Sequence, residues 1–251
     1  MDRKLTNYDL FKATLKSFFI QSSWNFERMQ ALGFTYCISN AIKKIYTDQV
    51  LLKDSLIRHL EFFNTNPYLA PTIAGVVLNW EEKHAQSKEN SIDSSSLKAR
   101  LMGPFGAIGD SLFWATLRPL TAILGFILAF IGIKEAPVIF LIIYNIPAFG
   151  VRFYGLFKGY QLGPFIIEEI KKFNLNLFMS GMKKISCFLL GLSLGIYALS
   201  PDLQIAKNSL PLNFILCVVL ICILILLLRK KISSVSLIYF ILIICIGLKY
   251  I

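Results

Sequence analysis

Asp110 and Arg118 are the ionisable residues of the most unusual stretch of the chain, Leu101 to Pro119, LMGPFGAIGDSLFWATLRP. A charged side chain in an apolar setting must find a partner, which makes it a functional candidate. If one helix runs through both, their separation of eight positions amounts to about 12 Å along the axis. They are too far apart to pair with each other, so each needs a partner elsewhere. Their chemistry is then charge and hydrogen-bond recognition beside a path. The plainer alternative has Asp110 capping a helix and Arg118 anchoring a span at headgroup level. Trp114 lies between them. Ahead of them Gly103, Gly106 and Gly109 recur every third residue beside Pro104. One helix face is thereby bare, and another backbone or a ligand can approach it closely.

A second segment, Tyr144 to Gly163, reads YNIPAFGVRFYGLFKGYQLG. Pro147 and Gly150 interrupt an apolar run that also holds Asn145. This predicts a discontinuous helix of the kind that lines substrate sites in transporters. Tyr154 and Tyr160 can stack on a sugar or hydrogen-bond to it. The competing reading is an aromatic belt with Arg152 and Lys158 snorkelling to the interface, and it is the better one for those two cations. His59 lies beside Arg58 and Glu61 on the charged side of an amphipathic stretch, and His84 lies in a polar loop. Both read as solvated surface residues. The serines at 94–96 have no catalytic companions, and GPFGAIGD lacks the Lys-Ser or Lys-Thr ending of a phosphate loop. No catalytic residue, metal site or cofactor site is expected.

The elements that must position these residues are membrane helices. The chain has 251 residues, 55% of them hydrophobic, and a mean hydropathy of +0.61. Soluble domains average roughly 45–50% apolar. Pro211–Leu228 and Ile232–Leu248 are long enough to span directly. Leu120–Ile133, Pro137–Val151 and Ile185–Leu199 are shorter, and read as tilted spans or re-entrant pieces. The net charge of +11 sits beside the apolar runs, which fits an anionic leaflet rather than nucleic acid. Placing Arg229, Lys230 and Lys231 inside puts residues 152–184 and 1–118 inside too. All basic clusters then share the cytoplasmic side, with five crossings, the N-terminus in and the C-terminus out. No cleavable leader is expected at the N-terminus. The five cysteines, Cys37, Cys187, Cys217, Cys222 and Cys245, have no metal-site spacing and read as small apolar fillers.

Residues 1–100 read as an amphipathic or re-entrant helical region. Thr6 and Asp9 form a capping box, followed by a stripe of Leu10, Phe11, Thr14, Leu15, Phe18 and Phe19. A second stripe, Leu52, Leu56, Leu60 and Phe63, ends in a turn at Asn64–Pro67, because Pro67 disfavours helix at Asn66. Leu69–Trp80 is apolar but short, which suggests a membrane-surface or re-entrant helix. Residues 83–96 read as a polar loop. Residues 101–165 hold the Gly-rich and Pro-broken segments, and 166–251 the C-terminal spans. The fold class is therefore an all-α integral membrane protein, with about five crossing or re-entrant helices behind an amphipathic N-terminal region.

Four blocks resemble one family in order: SFFIQSSWNFERMQALGF (17–34), FFNTNPYLAPTIAGVVLNWEE (62–82), LMGPFGAIGDSLFWATLRP (101–119) and RFYGLFKGYQLG (152–163). They look like subunit IID of the mannose/fructose/sorbose family of phosphoenolpyruvate-dependent sugar phosphotransferase systems. Asn66 stands where that family usually has His, and the segment 200–210 is shorter than the family's external region. The resemblance implies assembly with membrane subunit IIC, as an oligomer of IIC–IID pairs in the bacterial inner membrane. It implies import of a hexose-type sugar with phosphorylation by subunit IIB, itself served by IIA. Trp24, Asn64 and Pro67 within the blocks join Gly103, Pro104, Gly106 and Gly109 as packing or interface candidates. Asp110, Trp114, Arg118, Asn145, Tyr154 and Tyr160 are the candidates for the sugar path. The alternatives are a stand-alone secondary transporter, and a non-transporting scaffold or receptor derived from a IID subunit.

Overall fold

The computed structural model describes residues 4–87 and 94–198, with scattered positions between 219 and 239. Helices account for the regular structure described, apart from isolated backbone bridges from Met29 to Asn25 and Phe63. The chain divides into two compact units, Met1–Leu190 and Gly191–Ile251. In the second unit the description is confined to the end of one helix and scattered helical positions such as Val219 and Leu226. Of the spans expected at Pro211–Leu228 and Ile232–Leu248 only these scattered positions are described, and the C-terminus lies outside the described residues.

In the first unit α1 (Asn7–Lys16) opens on the expected box. The Thr6 hydroxyl accepts from the Asp9 N–H, and the Asp9 carboxylate accepts from the Thr6 N–H at 2.7 Å. The buried face of α1 differs from the apolar stripe. Leu10, Ala13, Thr14 and Ser17 are buried, while Phe11, Leu15, Phe18 and Phe19 are exposed. The cause is the closeness of α2 (Ala31–Ile45). A Cβ on Gly33 would collide with the Ile20 backbone, and the Cys37 thiol donates to the Ala13 carbonyl at 3.1 Å. Only small side chains fit that seam. Burial pushes the Cys37 thiol up to about 12, so it is an inert filler. Helix α3 (Gln49–His59) is capped by Asp48, which accepts from the N–H groups of Val50 and Leu51.

The centre of the unit is α4 (Ala70–Ser87), whose Ala70, Ile73, Ala74, Val76, Val77 and Leu78 are fully buried. The sequence suggested a membrane-surface or re-entrant helix here. Protein encloses it, from α2, α5 (Ser94–Gly109) and above all α7 (Ala136–Leu162), which opposes the membrane-surface reading. Glycine explains the closeness of α7. A Cβ on Gly75 would strike the Leu156 carbonyl, one on Gly159 the Thr72 carbonyl, and one on Gly155 the Thr72 hydroxyl. Gly155 and Gly159 are four apart on one face, the small-residue spacing that lets helix backbones touch. The polar stretch after Trp80 is also not all loop. Helix α4 continues to Ser87, with His84 stacked on Trp80 one turn earlier at 4.7 Å, and α5 begins at Ser94.

Beyond α5 comes a π-helical segment, Asp110–Leu117, then α6 (Arg118–Phe130). Helix α7 runs unbroken for 27 residues through Pro147, so the expected interruption does not occur. A proline inside a helix removes one backbone donor, and neighbouring groups can compensate for it. A 3₁₀ turn (Gly163–Phe165) leads into α8 (Ile166–Lys172), and α9 (Leu175–Ala198) follows. Among the described residues, three stretches are long and apolar enough to cross a bilayer: Ser94–Phe130, Ala136–Lys172 and Leu175–Ser193. They overlap the three shorter apolar runs singled out in the sequence: Ser94–Phe130 covers Leu120–Ile133 as far as Phe130, Ala136–Lys172 contains Pro137–Val151, and Leu175–Ser193 covers Ile185–Leu199 as far as Ser193.

The close α4–α7 crossing yields a stability prediction. Gly159→Ala forces a Cβ against the Thr72 carbonyl and should cost about 1–3 kcal/mol, read as a lower thermal unfolding midpoint in detergent. Gly103→Ala, whose Cβ meets open space, should leave the midpoint unchanged or raise it. Equal effects at the two positions would refute the backbone contact.

Candidate functional site

The turn between α3 and α4 is built to be held from both sides. The Gln30 side-chain amide clamps Thr65, donating to its carbonyl at 2.9 Å and accepting from its N–H at 3.2 Å. The Thr65 hydroxyl donates to the Met102 carbonyl on α5 at 3.0 Å. Pro67 keeps Asn66 out of the helix, which frees the Asn66 side chain to bridge. Its Oδ1 accepts from the Tyr68 N–H at 3.0 Å, and its Nδ2 donates to Asp110 at 2.9 Å. The bare face of α5 receives this turn. A Cβ on Gly109 would run into the Asn66 side chain, and one on Gly106 would lie 3.7 Å from the Thr65 hydroxyl. Gly103 faces open space.

Between the turn and α5 lies an open cleft of about 400 Å³. Trp24, Asn64, Pro67, Gly103, Gly106, Asp110 and Trp114 line it, with Gln21, Gln30, Thr65, Met102 and Ala107. Seven of the residues singled out in the sequence thus meet in one place. The lining offers one carboxylate, three side-chain amides, a hydroxyl and two indoles. That is the equipment for a neutral polyhydroxylated ligand, with hydrogen bonds from the polar groups and ring faces for its C–H surface.

The remaining candidates lie elsewhere. Arg118 is exposed, with its guanidinium 5.4 Å from the Trp114 ring centre. The π-helical turn separates it from Asp110, whose hydrogen-bond partner is Asn66. Pro104 is exposed on α5. Asn145 donates to the Leu141 carbonyl of its own helix at 2.8 Å. Tyr154 is exposed, with Lys158 over its ring at 5.9 Å. Tyr160 is buried, and its hydroxyl donates to Glu82 while its carbonyl accepts from the Asn79 side chain. It binds α7 to α4.

Sequence reasoning missed a buried charged layer around the end of α4. Glu81 is fully buried and accepts from Arg58 Nε at 3.0 Å and Nη2 at 2.8 Å. It also accepts from the Tyr46 hydroxyl at 2.7 Å and lies 2.9 Å from His59 Nε2. Burial would raise the Glu81 carboxyl, but bonds from His59, Arg58 and Tyr46 hold it well below the usual carboxylate range. Glu82 accepts from the N–H groups of Lys4 and Leu5 at 2.6 and 2.9 Å, tying the N-terminus to α4. Lys98 is buried too, and donates to the carbonyls of Arg58, His59 and Glu61 at the end of α3.

His59, expected at the surface, is fully buried. Burial lowers its basicity, the Glu81 bond opposing this without overcoming it. Its Nδ1 has no hydrogen-bond partner, so a proton there would be a buried, unsatisfied donor. Arg152, expected to snorkel, is buried as well. It donates to the Ser17 carbonyl at 3.1 Å and lies 4.8 and 4.9 Å from the rings of Phe18 and Tyr68. The adjacent glutamates of the Trp-Glu-Glu sequence, so close to an apolar run, were the available signal for this layer.

Helices with three stretches able to cross a bilayer among the described residues define a helical membrane protein. The description "PTS system mannose/fructose/sorbose family IID component" matches residues 4–251, and the chain belongs to that family. It is 39% identical over 194 residues to the mannose-specific EIID component of Escherichia coli K12, covering 76% of this chain and 68% of that one. It is 36% identical over 193 residues to the fructose permease IID component of Bacillus subtilis, covering 76% and 70%. Among solved structures it resembles a chain of the cryo-EM complex of mannose transporter ManYZ with microcin E492. That match has a TM-score of 0.60 and 31% identity, covering 98% of this chain and 97% of that one. Another, described as a membrane protein, has a TM-score of 0.71, 31% identity and the same coverage. The chain is a membrane subunit of a sugar phosphotransferase permease.

The buried layer makes stability pH-dependent. The unfolded chain takes up a proton at His59 below about pH 6.5, whereas folded His59 resists it, so stability falls as pH drops through that value. Glu81 adds a second loss below the usual carboxylate range, since the unfolded carboxyl protonates before the folded one. The unfolding midpoint should therefore decline between pH 7.5 and pH 5. His59→Gln should flatten that part of the profile, and an unaltered slope in the variant would contradict the assignment.

Proposed function

We propose that this chain pairs with a IIC subunit in the bacterial inner membrane and forms with it the path for a hexose-type sugar. The polar cleft between the Asn64–Pro67 turn and α5 supplies this chain's share of that path. The carrying observation is the convergence of Asp110, Asn64, Trp24 and Trp114 on one cavity. Carboxylate and amide groups bind hydroxyls directionally, and indole rings cover the apolar face of a pyranose. The names of its relatives, with mannose, fructose and sorbose among their sugars, support a hexose-type substrate.

The phosphoryl group comes from a IIB subunit, recharged by IIA, on the cytoplasmic side. This chain contributes positioning rather than a reacting group, since phosphoryl transfer depends chiefly on alignment and charge. The basic clusters put residues 1–118 and 152–184 on that side. IIC–IID pairs assemble further into an oligomer. Asp110 acts through Asn66, because their hydrogen bond ties the turn to the π-helical segment.

Asp110→Asn keeps size while removing charge, and a hydrogen bond to a charged group is worth about 1.5–3 kcal/mol. Sugar phosphorylation in membrane vesicles supplied with phosphorylated IIB should fall about tenfold or more. The IIC–IID complex should still co-purify. Normal phosphorylation would reduce Asp110 to a helix-end residue, and loss of the complex would make its role structural.

A further inference from the structure

Arg152 is a buried cation that touches two of the segments lining the cleft, although it does not line the cleft itself. The residue is 7% exposed, and among the described residues it forms no ion pair. A charge buried without a counter-ion is costly, so its role lies in the packing it makes. Enclosed to this degree, it is not open to a ligand. The first segment it touches is the 3₁₀ turn Ser17–Phe19, from which the chain runs on to Gln21 and Trp24 in the cleft. Arg152 donates to the Ser17 carbonyl at 3.1 Å and lies over the Phe18 ring at 4.8 Å. The second segment is the Asn64–Pro67 turn, which Tyr68 follows. The same guanidinium lies over the Tyr68 ring at 4.9 Å. Tyr68 in turn holds cleft groups, through its N–H to Asn66 at 3.0 Å and its ring 5.5 Å from Trp114.

A guanidinium suits this place because it is planar. Its edge donates hydrogen bonds while its faces stack on rings, whereas an ammonium is a point charge. The two segments are also joined by backbone. The Gln30 N–H donates to the Phe63 carbonyl at 2.8 Å, and the Phe63 N–H to the Arg28 carbonyl at 3.3 Å. Along the chain, Gln21 and Trp24 fall between Phe18 and Arg28, and Asn64 and Pro67 fall between Phe63 and Tyr68. Each cleft segment is therefore bracketed by the same two ties, the Phe63 backbone pair at one end and Arg152 at the other.

We propose that Arg152 is a positioning residue for the sugar, setting the separation of the two cleft segments from its place over Phe18 and Tyr68. The proposal rests on the reading of the cleft as this chain's share of the sugar path. Arg152 touches no reacting atom, so it governs how tightly the sugar is held and not the phosphoryl step.

The test measures sugar phosphorylation by the IIC–IID complex in vesicles supplied with phosphorylated IIB, with mannose, fructose and sorbose as probes. Arg152→Lys keeps the charge and loses the planar contacts. Its KM should rise about tenfold while kcat stays within about twofold of the wild type, the pattern of lost binding without lost chemistry. Phe18→Leu removes one ring at a position outside the cleft and should raise KM about fivefold. Phe18→Tyr keeps the ring and should keep the wild-type KM. The Phe18 pair decides the matter if Arg152→Lys fails to assemble. Asp48→Ala removes the α3 cap and lowers stability away from the cleft, so its KM should not change. A KM in Asp48→Ala raised as far as in Arg152→Lys would overturn the proposal, because general loosening would then explain both. So would a fall in kcat at unchanged KM, or a Phe18→Tyr as impaired as Phe18→Leu. Wild-type KM in Arg152→Lys and Phe18→Leu beside an impaired Asp110→Asn would sink the positioning role and leave the sugar cleft standing. Normal phosphorylation by Asp110→Asn, or none of the three sugars phosphorylated by the wild type, would sink the cleft reading and this proposal with it.

Discussion

Everything else in the first unit depends on how closely α4 and α7 approach. Gly75 on one helix and Gly155 and Gly159 on the other remove the side chains that would hold the backbones apart. In a bilayer the hydrophobic effect does not drive helices together, so close packing and polar contacts must do so. Here they coincide. Beside the glycine contact, Asn79 bonds to the Tyr160 carbonyl and the Tyr160 hydroxyl to Glu82. Because α7 covers α4 so completely, the apolar run from Leu69 to Trp80 is enclosed by protein rather than by lipid.

That enclosure explains how a charged layer survives at the end of α4. Glu81 is out of water, where an unpaired carboxylate would be very costly. It is satisfied by Arg58, Tyr46 and His59 from two other segments. Lys98 brings α5 onto the end of α3 through backbone carbonyls. The polar layer therefore fixes the positions of α3 and α5, and these set the width of the space between them. The Asn64–Pro67 turn is suspended there by Gln30, Met102 and Asp110.

The cleft follows from that suspension. The glycine face of α5 admits the turn at Gly109 and Gly106 and stays open at Gly103. A bare helix face was expected to receive a partner, and the partner it receives is this chain's own turn. The π-helical turn that follows carries Trp114 with it, so Asp110 and an indole line one cavity. Arg118 instead lies over that indole from outside. Tyr68 connects the cleft to the rest of the unit. Its ring is 4.4 Å from Phe113 and 5.5 Å from Trp114, and its hydroxyl accepts from Tyr144 at 2.9 Å.

The sequence by itself determined whatever depends on neighbours a few residues away. Thr6 with Asp9 defines a helix start, Pro67 a turn, and the apolar runs a membrane protein, because capping, turn geometry and hydrophobic length are local properties. The block around Gly-Asp-Ser also pointed to the cleft, since its unusual residues are contiguous. Only the tertiary structure decided the partners. Asn66 and Asp110 are 44 residues apart, His59 and Glu81 22, and Ser17 and Arg152 135. No periodicity reports which segments meet, so His59 and Arg152 read as surface residues although both are buried. The unbroken course of α7 through Pro147 was hidden for a related reason. A proline's local cost is visible in sequence, but the surroundings that offset it belong to the fold.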